Sequence, residues 1–66
     1  MRIKVNTERI EIFSGAQVKD VIKKYSPTDY KDVVKGEKVV FDQDNNQLSL
    51  TGELSSLERI EIKSRA

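Results

Sequence analysis

The stretch Val18-Lys19-Asp20-Val21-Ile22-Lys23-Lys24-Tyr25 constrains this chain more than any other. Val18, Val21, Ile22 and Tyr25 stand at i, i+3, i+4 and i+7, which puts all four on one face of a helix. Ser14 and Gln17 have the spacing of a capping box, so the helix is expected to span Ser14 to Tyr25. Lys23 and Lys24 fall in its last turn, where cations suit the negative end of the helix dipole, and Pro27 stops it. Every other apolar segment is short and alternates with polar residues. One striped helix and a set of one-faced strands bury each other, which predicts a two-layer α+β domain.

The strands follow from that alternation. Ile3 and Val5 alternate with Arg2, Lys4 and Asn6, and Ile10 and Ile12 alternate with Arg9 and Glu11. Reading Asn6-Thr7-Glu8-Arg9 as a four-residue turn pairs Val5 with Ile10 and Ile3 with Ile12, and sets Lys4 opposite Glu11 on the other face. After the helix, Ser26-Pro27-Thr28-Asp29 has the form of a new N-cap with Pro in the first helical position. Tyr30, Val33 and Val34 then share a face of a short helix or 3₁₀ segment ended by Gly36.

Lys38 to Phe41 reads as a third strand, Asp42 to Asn46 as a turn rich in Asx residues, and Leu48 and Leu50 as the apolar positions of a short fourth strand. Val40 points one way and Val39 and Phe41 the other, so one side of this strand leaves apolar groups away from the core. Leu54 and Leu57 plug the core from a loop. Arg59-Ile60-Glu61-Ile62-Lys63 is a fifth strand, and it repeats the tetrapeptide of Arg9-Ile10-Glu11-Ile12. Pairing the last strand in parallel with the first at the sheet centre places Ile60 and Ile62 under the helix. Glu61 then lies beside Lys4, and the open face carries a Glu11–Lys4–Glu61 row.

With 66 residues the chain is one domain, residues 1–66. A domain of this size buries only about 60% of the surface its unfolded chain exposes. Cysteine, histidine and tryptophan are absent, so disulfides and thiolate metal sites are unavailable and nucleophile–histidine pairs cannot form. Twelve Lys and Arg against eleven Asp and Glu give a net charge of +1, too balanced to predict nucleic acid or an anionic membrane as partner. The longest apolar run, Val39-Val40-Phe41, is far short of a membrane span, and the alternating N-terminus has no signal-peptide core. The expectation is a cytoplasmic monomer.

Candidate chemistry is sparse. Ser14, Ser26, Ser49, Ser55, Ser56 and Ser64 are cap, turn or exposed positions without a base beside them. Asp42, Asp44, Asn46 and Glu53 match the acidic positions of a calcium loop, but Gln47 stands where the sharp turn needs Gly and the flanks are strands. A polar hairpin turn is the expected reading. Lys19, Lys23, Lys24 and Lys31 form a basic patch on the helix side that reads as a solvated helix face. No catalytic, cofactor-binding or metal residue is assigned.

The opening Met1-Arg2-Ile3-Lys4-Val5-Asn6, the segment Ser14-Gly15-Ala16-Gln17-Val18-Lys19-Asp20-Val21-Ile22, and the close Gly52-Glu53-Leu54 with Arg59-Ile60-Glu61-Ile62 resemble the β-grasp, or ubiquitin-like, fold of the small ThiS/MoaD type. The resemblance implies a mixed sheet of four or five strands in ββαββ order on one main helix. It also implies a sulfur carrier of thiamine or molybdopterin biosynthesis type, whose C-terminal Gly-Gly is adenylated by a partner enzyme and converted to a thiocarboxylate. This sequence closes on Lys63-Ser64-Arg65-Ala66, and its glycines are Gly15, Gly36 and Gly52, so no position inherits the carrier's functional residue. The first expectation is therefore a non-catalytic module that binds a protein partner, either alone or as the N-terminal domain of a longer protein. That partner is an adenylating or sulfur-transfer enzyme if the resemblance extends so far. The alternatives are a sulfur carrier whose tail is absent here and a regulatory domain for a small ligand. Since ubiquitin-like folds commonly dock partners on the open sheet face, the resemblance points to Lys4, Glu11, Glu61, Lys63 and Arg65 as partner-binding residues.

Overall fold

In the computed structural model, which describes residues 1–54 and 57–65, the first two strands are β1 (Arg2–Val5) and β2 (Glu8–Glu11). They pair antiparallel through a turn of two residues, Asn6-Thr7, rather than four, with Ile3 opposite Ile10 and Lys4 opposite Arg9. The pairing is displaced by two residues from the expected one, so the Lys4–Glu11 pair is not made. Asn6 is the cause. Its φ of 54° lies in the left-handed region that Asn tolerates, and this closes the hairpin early. A shift of two keeps every side chain on its face, and Ile3, Val5 and Ile12 remain buried.

The main helix, α1 (Val18–Tyr25), buries Val18, Val21 and Ile22 completely and presses against β1 and β2. It starts later than expected. Gly15 turns at φ +88°, Gln17 is extended, and the Ser14–Gln17 box does not form. Asp20 accepts from the backbone N–H of Gln17 at 2.9 Å in its place. The first N–H groups of the helix are satisfied from outside, Val18 by the carbonyl of Gly52 and Lys19 by that of Leu50, each at 2.9 Å. That loop also carries Leu54 into the core, as expected of a plug, with Leu57 half-buried beside it.

Ser26 ends α1 and begins α2 (Pro27–Val34). Its N–H donates to Ile22 O at 2.8 Å, and its hydroxyl accepts from Asp29 N at 3.3 Å, with Pro27 in the first helical turn as the sequence predicts. Gly36 (φ +81°) follows the helix, again as expected. Tyr30 and Val33 pack against the core, but Val34 is 58% exposed, since the short helix turns it away from the sheet. No residue of α2 is fully buried. A polar contact supplements the packing: Lys38 Nζ reaches Asp29 at 2.6 Å and Asp32 at 3.6 Å. These carboxylates hold the Lys38 amine above its ordinary pKa, chiefly through the hydrogen bond to Asp29.

Strands β3 (Lys38–Asp42), β4 (Gln47–Leu48) and β5 (Arg59–Ser64) complete a five-stranded mixed sheet in the order β2-β1-β5-β3-β4. β5 lies parallel to β1 at the centre, as expected, and Ile60 is buried under the helix while Ile62 is half-buried. Its register again differs by two residues: Lys4 stands beside Arg59, not Glu61. Asn6 fixes this too. Its N–H donates to Ile60 O at 3.0 Å, its Oδ1 accepts from Ile62 N at 2.9 Å, and its Nδ2 donates to the Tyr25 hydroxyl at 3.3 Å. The result is a two-layer α+β domain with two helices over one face of the sheet.

Two outcomes check this account. Val21→Asp places an unpaired charge at a position with no solvent exposure and should leave the protein unfolded by far-UV circular dichroism, since its whole stability is of the order of 5 kcal/mol. Asn6→Ala leaves Ile62 N without its partner and should lower urea-unfolding stability by about 1–3 kcal/mol.

Candidate functional site

Strand alternation divides the sheet. Ile3, Val5, Val40 and Ile60 turn toward the helices, so Arg2 and Lys4, Arg9 and Glu11, Val39 and Phe41, and Arg59, Glu61 and Lys63 stand on the opposite, open face. Register then decides which neighbours these groups have. Lys4 is flanked by Arg9 on β2 and by Arg59 on β5, an unbroken row of three cations across three strands. With Arg2 they line a shallow depression of about 340 Å³ whose one carboxylate is Glu58. Among the described residues, Lys4, Arg9 and Arg59 have no carboxylate within ion-pair distance, and Arg2 makes only an exposed 3.9 Å contact to Glu11.

The other half of the face is different in kind. Val39 and Phe41 are half-buried, the Lys63 ammonium sits 5.3 Å from the centre of the Phe41 ring, and Lys63 pairs with Glu61 at 3.5 Å. Of the five residues expected to bind a partner, Lys4, Glu11, Glu61 and Lys63 thus share the open face. The expected Glu11–Lys4–Glu61 row does not exist, because Lys4 has Arg9 and Arg59 beside it instead. Arg65 stands apart: its guanidinium donates to Gly36 O at 3.1 Å and its backbone N–H to Glu37 O at 3.0 Å, which ties the strand end to the turn after α2. Arg2, Arg9 and Arg59 were not among the expected residues. The signal for two of them was in plain sight: the repeated Arg-Ile-Glu-Ile segments become β2 and β5, the two strands that flank β1, and each aligns its Arg with Lys4.

Several of the remaining candidates have structural explanations. Asp42 Oδ1 accepts from the N–H groups of Asp44 and Asn46, both at 2.9 Å, so this carboxylate organises the β3–β4 turn. No group of three or more Asp or Glu is gathered for a metal among the described residues. On the helix side Lys24 donates to Glu11 O, and the Lys23 ammonium lies 4.7 Å from the Tyr30 ring centre. Ser26 is a cap, and Ser49 shares a hydrogen bond with Thr51 at 3.4 Å. Ser55 and Ser56 lie outside the described residues. No helix among the described residues is long and apolar enough to cross a membrane. Comparison of the chain with known protein families, curated proteins and solved structures finds no match.

The Asp42 turn makes a pH prediction. Hydrogen bonds, first that from Asn46, hold its carboxyl below the ordinary 3.8. A lowered folded-state pKa contributes stability that is present above 3.8 and is lost as pH falls through the folded value. Asp42→Asn keeps an oxygen for both N–H donors but cannot titrate. Urea midpoints at neutral pH and near about pH 3 should therefore differ less in the variant than in the wild type.

Proposed function

We propose that this chain is a non-catalytic protein-interaction module of β-grasp type that docks its partner on the open face of the sheet. The strand order β2-β1-β5-β3-β4, with a parallel central pair and the main helix on one side, accords with that fold and with the resemblance in sequence. The observation that carries the function is the open face itself. It presents Phe41 and Val39 beside charged side chains, none of which the core requires. A two-layer domain covers one sheet face with its own helices and leaves the other free, where a second protein can reach it.

The sulfur-carrier alternative has less support. A carrier acts through a flexible glycine tail, and the glycines of this chain, Gly15, Gly36 and Gly52, all lie within the fold. The small-ligand alternative has only the shallow depression in its favour.

A paired capture experiment tests the proposal. A Val39→Ser/Phe41→Ser variant should lose the protein that the wild type retains, while Lys31→Glu, on the helix side, should keep it. The reverse pattern overturns the proposal. So does a mass gain of one AMP on incubation with ATP and an adenylating enzyme.

A further inference from the structure

Like charges placed directly opposite one another on neighbouring strands are destabilising, and a sheet with carboxylates to spare has no need of them. Here Lys4 is opposed on both sides, by Arg9 and by Arg59. Neighbouring strands lie about 4.8 Å apart, so three cations are held in line within the width of three strands. The chain carries eleven Asp and Glu, yet none neutralises this row among the described residues. The depression beside it gathers four cations and one carboxylate, in a chain whose total charge is +1. A like-charge row left without ion pairs among the described residues is a place that a ligand of opposite charge can complete.

We infer that the Arg2–Lys4–Arg9–Arg59 cluster binds an acidic segment of the partner protein, a short run of Asp or Glu. The inference rests on the open-face reading and supplies its chemistry. The guanidiniums of Arg2, Arg9 and Arg59 suit bidentate pairing with carboxylates, and Lys4 supplies a central point charge. The footprint favours a peptide over a nucleic acid. The four cations share one depression with Glu11, Glu58 and Glu61 around it. A short acidic run can lie on the cations alone, whereas a continuous phosphate backbone would run on over the carboxylates, and no aromatic ring lies among the four cations to stack a base. Val39 and Phe41, farther across the same face, offer an apolar contact to the residues that follow the acidic run.

The test is an NMR titration of isotope-labelled protein with a hexaglutamate peptide, repeated with a single-stranded oligonucleotide of equal charge. Saturable shifts at Lys4, Arg9 and Arg59 are expected with the peptide, weakening as salt is raised. Arg59→Glu should reduce affinity about tenfold or more. Lys4→Met should weaken binding while raising Tm, because it removes a like charge from the row; a purely structural role would lower Tm instead. Three results overturn the inference: no shifts on the open face, shifts confined to Lys19, Lys23 and Lys31, or tighter binding of the oligonucleotide at the same residues. If these occur while Val39→Ser/Phe41→Ser still abolishes partner capture, the acidic-segment inference fails and the open-face reading stands. If the peptide binds the row but that variant still captures the partner, the acidic-segment inference stands and the docking contact at Val39 and Phe41 fails.

Discussion

The hydrogen bonds of Asn6 set the geometry on which the rest of this domain depends. In a left-handed conformation the residue closes the hairpin in two residues, and its side chain holds the last strand in place and touches the end of the main helix. Few side chains can do both. Glycine would accept the backbone angle but has no oxygen for Ile62, and most other residues would strain at φ 54°. The central strand pair joins residues more than fifty positions apart in the chain, so a clamp that fixes its register has a long-range effect from one local feature.

The sequence made the faces of this sheet legible and left its registers open. Period-two alternation in Ile3-Lys4-Val5 and in Arg59-Ile60-Glu61-Ile62 says which side chains meet the helix, and each does so in the structure. The same pattern is satisfied equally well after a shift of two residues, because such a shift changes no face. Both pairings of β1 differ from expectation by that shift. The charge sequence on the open face changes with it, from acid–base–acid to three bases in a row. The information that selects the register lies in the turn chemistry of one Asn rather than in hydrophobic pattern. The late start of α1 has a mixed origin: Asp20 caps Gln17 locally, while the next N–H groups are met by carbonyls of Gly52 and Leu50, partners that no local motif could reveal. Where the signal was local, as in Ser26-Pro27 and Gly36, reading and structure agree.

The two halves of the open face differ in their physical character. The cations of β2, β1 and β5 project a field that reaches several ångströms, while the apolar groups of β3 can interact only on contact. Charge balance over the whole chain conceals this division. A net charge of +1 is the sum of a basic quadrant and a more acidic remainder, so bulk composition was a poor guide to what any single surface would attract.

The bond from Lys24 to Glu11 O has a consequence for how copies of the protein behave when crowded. Glu11 stands on the outermost strand, where a free carbonyl would invite another chain to pair alongside. A lysine from the helix occupies that carbonyl, and the opposite border of the sheet is a strand of only two residues. The lysine against β2 and the shortness of β4 reduce the bare backbone that the two margins offer to another chain. Both features are of the kind by which a sheet blunts its margins against pairing with another copy of itself.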